Sequence, residues 1–197
     1  MKRNLTTTTL MVLALAAFSG AMVRAIGDES QGAAGAAAQK NVRIDRGAYL
    51  VSMMGCNDCH TPWKMGPKGP EPDMTRALTG HPQDMVLPPA PAPSGPWIWH
   101  GAATNTAWAG PWGVSFTANL TPDKETGLGS WTEEMFIATM RTARHQGKGR
   151  PILPPMPVKM IGKATDEDLK SIFAYLQSLA PVKNKVPAPI EPADGSK

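Results

Sequence analysis

Cysteine is nearly absent from this chain: its 197 residues include two, Cys56 and Cys59. Two thiols cannot build a disulfide framework, and without a second pair they do not supply the four ligands of a structural zinc site. Long apolar runs are also missing. The longest, Leu10–Val23, has 14 residues, short of the roughly 20 that a membrane-spanning helix needs. Charge of one sign is scarce as well. Lys and Arg total 20 against 16 Asp and Glu, and three of the basic residues (Lys2, Arg3, Arg24) fall in the first 25. Without those three, 17 basic residues face 16 acidic ones with no Lys/Arg cluster, which excludes a basic nucleic-acid-binding surface. Neither an internal repeat nor an alternating strand pair is legible.

Lys2 and Arg3, the apolar run and the small residues around Val23-Arg24-Ala25 together predict an export signal over 1–25, and hence a periplasmic protein. The Ala/Gly-rich stretch 26–40 has little to bury and predicts a flexible linker. The Pro-rich, polar stretch 181–197 predicts a disordered tail. The folded domain is then expected over 41–180.

Within it the spacing predicts three main helices, and so a mainly α domain. The first covers about Arg43 to Met54, with Ile44, Ala48 and Val51 on one face. The second is expected to start at Ser130, where Ser130 and Glu133 make a capping box ahead of Phe136 and Met140. The third starts at Thr165, with Asp166, Glu167 and Asp168 in its first turn and Leu169, Ile172, Phe173, Leu176 and Leu179 as its apolar face; Pro181 stops it. Between the first two helices, residues 62–113 hold 11 of the 20 prolines and 5 of the 6 tryptophans. Proline disfavours regular structure there, so a long loop insertion is expected. Trp63, Trp97, Trp99, Trp108 and Trp112 suggest that it wraps over a hydrophobic object rather than trailing in water.

Both cysteines fall in one octapeptide, Gly55-Cys-Asn-Asp-Cys-His-Thr-Pro62. A redox dithiol is expected after a strand in a βαβ setting, whereas this pair ends a helix. A disulfide across two intervening residues closes too small a ring to stabilise much. Cys-x-x-Cys-His as a haem attachment motif uses every residue: Cys56 and Cys59 each form a thioether, and His60 becomes the proximal ligand of the iron. The cofactor predicted is one covalent haem c.

Methionine is the common second axial ligand. Of the methionines outside the leader, Met53 and Met54 lie next to the anchor, and Met135 and Met140 read as packing residues of the second helix. Met65, Met74, Met85, Met156 and Met160 remain. Met156 is preferred because Pro154, Pro155 and Pro157 stiffen its loop. Met160 comes next, followed by His81, His100, His145 or an open site. For those three histidines an ordinary surface or loop role is the simpler expectation.

The segments "GVSFTANLTPDKETGLGSW" and "RPILPPMPVKMIGKATDEDLKSIFAYLQSL", with the Cys56, Cys59, His60 motif, resemble a class I cytochrome c domain. More narrowly, they are similar to the haem domains in cytochrome subunits of bacterial periplasmic alcohol and sugar-acid dehydrogenases. The resemblance covers about 41–180. It implies a single domain of three main helices around one haem, and Met156 matches the methionine of the family's Pro-Met-Pro loop.

With His60 and Met156 both bound, the iron has no vacancy for substrate and exchanges single electrons. The function expected is a periplasmic one-electron carrier, not itself an enzyme. The alternatives are a haem subunit of a larger dehydrogenase, or a peroxidase-like enzyme using His100 or His145. Partners are then redox proteins (a dehydrogenase donor, an oxidase or reductase acceptor), with at most peripheral membrane contact. A backbone carbonyl should receive the His60 ring N–H, and the loop "KMGPKGP" is the expected source. Trp131 is a candidate for the haem pocket, and Tyr175 for the core.

Overall fold

The computed structural model describes residues 34–91 and 96–192. The expected export signal, residues 26–33 of the expected linker and residues 193–197 lie outside the described residues. The chain divides into two compact units at Val42/Arg43. The described part of the first, 34–42, is helical. Where the sequence suggested a flexible linker, Ala36, Ala37 and Ala38 supply the residue with the highest intrinsic helix propensity.

The second unit contains five α-helical segments, two 3-10 turns (Met74–Arg76 and His145–Gly147) and five short strands among its described residues. In chain order the α-helices and strands are α1 (43–53), α2 (Cys56–His60), β1 (Trp63–Gly66), β2 (Gly69–Pro72), β3 (His100–Gly101), β4 (Ala107–Gly110), β5 (Gly113–Phe116), α3 (Glu133–Thr142), α4 (Val158–Ile161) and α5 (Asp166–Ser178). The core is helical: Leu50 and Val51 of α1, Phe136 and Met140 of α3, and Leu169, Ile172, Phe173 and Leu176 of α5 are buried together. The Phe136 and Phe173 rings pack 5.4 Å apart. α1 meets α5 so closely that a Cβ on Gly47 would strike the Ser171 carbonyl. Ion pairs Arg43–Glu133 (3.4 Å) and Arg46–Asp168 (3.0 Å) fasten the outer edges of α1.

The caps show which sequence signals operate. Thr165 accepts from the Asp168 N–H, as the spacing predicts for α5. For α3 the cap is Thr132, which accepts from the Met135 N–H, rather than Ser130. Two cap-competent residues stand two apart, and the one that leaves Glu133 and Glu134 in the first turn is used.

The Pro/Trp-rich region departs from expectation in two ways. It holds strands: β1 and β2 form an antiparallel hairpin, and β3, β4 and β5 an antiparallel sheet in that order. Each strand is two to four residues long, too short to show alternation in the sequence. Its tryptophans also divide between burial and exposure, although the rings of Trp99 and Trp108 pack 5.6 Å apart. Trp108 is buried, whereas Trp97 is 70% and Trp99 43% exposed. Finally, the segment read as a disordered tail runs extended along the unit through residue 190. Asn184 is buried, and Ile190 bridges to Val114 with bonds of 2.8 and 2.9 Å. Asparagine in a Pro-rich stretch reads as solvated until its backbone partners are known.

Candidate functional site: an apolar cavity over the Cys-x-x-Cys-His helix

One cavity of about 340 Å³ opens beside α2, and Cys56, Cys59, His60 and Met156 all line it. Its walls are mostly apolar, with Phe116, Leu120, Leu128, Phe136 and Ile172 among them. Both thiols are free. Burial pushes the Cys56 thiol up to about 11 and moves Cys59 in the same direction, with the Asp58 carboxylate adding to both. That is the opposite of the lowered thiol a disulfide-exchange site uses.

His60 is buried and its tautomer is determined. Its Nδ1 lies 2.8 Å from the Ala118 carbonyl oxygen, which can only accept, so Nδ1 carries the proton and Nε2 keeps its lone pair. Burial lowers the imidazole pKa, which keeps the ring neutral. The expected acceptor in "KMGPKGP" is therefore replaced by Ala118, 58 positions away. No side-chain signal marks a backbone acceptor, so the sequence could not point to it. The His60 main-chain carbonyl accepts from the Gly80 N–H at 2.8 Å. Gly80 has φ +77°, and a Cβ there would strike the Thr117 carbonyl, so glycine is required at that approach.

Met156 sits between α3 and α4 in the Pro-rich loop, and Ser115 Oγ of β5 donates to the Pro154 carbonyl at 2.6 Å. Met65, Met74, Met85 and Met160 are exposed and do not line the cavity. Met54 and Met140 do line it, although nearness to the anchor had set Met54 aside. Among the histidines, His145 reaches the cavity and meets Trp131 edge-on at 5.0 Å. His81, expected at the surface, is fully buried, its ring nitrogens facing Thr106 Oγ1 and the Met85 carbonyl. His100, on β3, does not line the cavity. Trp131 does, whereas Tyr175 packs on the core.

Trp108, one of the five tryptophans expected to wrap over a hydrophobic object, also lines the cavity, as does Thr117, which no signal in the sequence marks. Their buried donors, Trp108 Nε1 and Thr117 Oγ1, have no hydrogen-bond partner. Buried donors without partners cost about 1–3 kcal/mol each. Two free thiols, a neutral imidazole with its lone pair available, a thioether, apolar walls and two orphaned donors suit a large apolar group that carries a metal and polar substituents. The residues present fit haem. No helix among the described residues is long and apolar enough to cross a membrane.

No protein-family profile matches the chain. It is 36% identical over 78 residues to one of the subunits of nicotinate dehydrogenase from Pseudomonas putida, a match spanning 40% of this chain and 6% of that one. It is 27% identical over 135 residues to the fructose dehydrogenase cytochrome subunit of Gluconobacter japonicus, 68% of this chain and 21% of that one. It is also 27% identical over 161 residues to the cytochrome c subunit of the quinone alcohol dehydrogenase of Gluconobacter oxydans, 80% of this chain and 26% of that one. A gluconate 2-dehydrogenase cytochrome c subunit matches in addition. The chain thus spans about a quarter or less of the length of these relatives.

Proposed function

We propose, from the premise that homologues of this chain are cytochrome c subunits of bacterial fructose, alcohol and gluconate dehydrogenases, that it is an electron-transfer protein carrying one haem c. In this reading residues 41–180 form a mainly α, class I cytochrome c domain exported to the periplasm by segment 1–25. The observation that supports it best is the meeting of Cys56, Cys59, His60 and Met156 in one apolar cavity.

Cys56 and Cys59 would hold the macrocycle as thioethers, and His60 Nε2 and Met156 would be the iron ligands. Haem iron so held supplies reversible one-electron exchange. The chain's own residues do the rest. Ala118 fixes the ring of His60 and raises the basicity of its free nitrogen. Ser115 secures the loop that carries Met156. The indole N–H of Trp108 and the hydroxyl of Thr117 would meet a carboxylate substituent, and the apolar walls keep water from the metal. If His60 and Met156 both held the iron, it would have no place left for a substrate, so in this reading the protein carries electrons and is not itself an enzyme.

The donor in this reading is a dehydrogenase, and the acceptor an oxidase or reductase. The names of the relatives favour a form in which a dehydrogenase holds the chain as one of its subunits. Exposed Trp97 and Trp99 would then contribute to the docking surface. Carbon monoxide tests the site: the reduced holoprotein should bind it poorly, and rapid stoichiometric binding would show an open or weak sixth position. Co-purification with a dehydrogenase separates the subunit from the free carrier.

A further inference from the structure

His60 is held from outside its own helix by two hydrogen bonds, and both end on backbone tied to the same distant segment. Its ring donates to the Ala118 carbonyl, which shares a peptide group with the Asn119 N–H. Asn119 Nδ2 donates to the Val182 carbonyl at 2.8 Å, and the Val182 N–H donates to Thr121 Oγ1 at 3.1 Å. The His60 main-chain carbonyl accepts from Gly80, and Asn184 Nδ2 donates to the carbonyls on either side of that glycine, Thr79 at 2.7 Å and His81 at 2.9 Å. Asn184 Oδ1 accepts from the Gln83 N–H at 2.9 Å, and the Asn184 N–H donates to Thr126 Oγ1 at 3.0 Å. Both asparagines are 2% exposed. A buried amide must keep its partners, so if this segment lifts, the backbone on both sides of His60 loses its support.

We propose that residues 182–190 are a strap that positions the ring of His60, with Asn119 and Asn184 as positioning residues. The proposal deepens the reading of His60 as an iron ligand and rests on it. A firm Nδ1–H to carbonyl bond makes Nε2 a stronger donor, which favours oxidised iron. Slackening the strap weakens that bond and raises the midpoint potential.

In the full-length, haem-loaded protein, Asn119→Ala and Asn184→Ala should each raise the midpoint potential. Lys183→Ala removes only the exposed strap ion pair to Glu125 (2.7 Å) and should leave the potential where it is. A second readout needs no variant. In hydrogen exchange on the unaltered reduced protein, the His60 ring N–H and the Val182 and Asn184 amides should exchange through one common opening. Unmoved potentials in both asparagine variants, or a ring proton far better protected than the strap amides, would overturn the proposal. Should neither variant be recovered, the exchange result decides. An intact mass without haem fails the functional reading instead, whereas loaded protein with unmoved potentials fails the strap alone.

Discussion

The Nδ1 of His60 lies 2.8 Å from the carbonyl oxygen of Ala118, and the two residues are 58 positions apart in the chain. This bond fixes which imidazole nitrogen is free, and so which atom can reach a metal. It joins α2, the helix of the Cys-x-x-Cys-His motif, to the segment that follows β5, a link between local motif and tertiary fold.

The ligand assignment makes the first prediction. Met156→Ala should abolish the methionine-to-iron charge-transfer band of the oxidised protein, and Met160→Ala, at a residue 59% exposed, should leave it intact. Absorption and magnetic circular dichroism of the two variants check this. A band that survives Met156→Ala moves the ligand to Met54 or Met140, the other cavity methionines.

Ser115 should matter through the loop and not through the metal. Ser115→Ala removes the 2.6 Å bond to the Pro154 carbonyl, worth about 1 kcal/mol, or roughly fivefold in an opening equilibrium. Carbon monoxide binding to the reduced variant should rise by about that factor, as measured by flow kinetics. An unchanged rate would mean that the three prolines alone hold Met156.

Trp108→Phe keeps the apolar wall and deletes one orphaned donor. A donor stabilises the ionised form of a neighbouring carboxylic acid, so its loss raises that acid's pKa. The inflection in midpoint potential against pH should move to higher pH, while the ligation bands stay as they are. A fixed inflection would place the carboxylates away from Trp108.

Asp123 governs an acid-sensitive turn. The Thr126 hydroxyl, followed by the backbone N–H groups of Thr126 and Glu125, holds its carboxyl below the ordinary 3.8. Since the folded value is the depressed one, its contribution is present above the unfolded value of 3.8 and is lost as pH falls through the folded value. Urea unfolding should show Asp123→Asn less stable than the unaltered protein near neutrality, with the gap closing below pH 3.8. A gap independent of pH would contradict the argument.

Much of this was legible in sequence, for identifiable reasons. The Cys56, Cys59, His60 motif is contiguous, so the haem reading proposed for it was available before the fold was known. The apolar face of α5 repeats over enough residues to be unambiguous, and Thr165 caps it as expected. The α3 cap shifted from Ser130 to Thr132 because two competent caps compete. The strands of the Pro/Trp region escaped notice because none exceeds four residues. Ala118 and the strap escaped because backbone carbonyls and paired asparagines leave no pattern in composition. Met54 shows the limit of arguing from distance along the chain, for it lines the same cavity as Met156.

The central claim is a haem joined to this chain through Cys56 and Cys59, and intact mass spectrometry of protein exported by a host that matures c-type cytochromes tests it most directly. The account predicts polypeptide plus one haem that survives acid–organic extraction, and its loss when both cysteines are replaced by Ala. Bare polypeptide from such a host, or a haem that extracts freely, would contradict it.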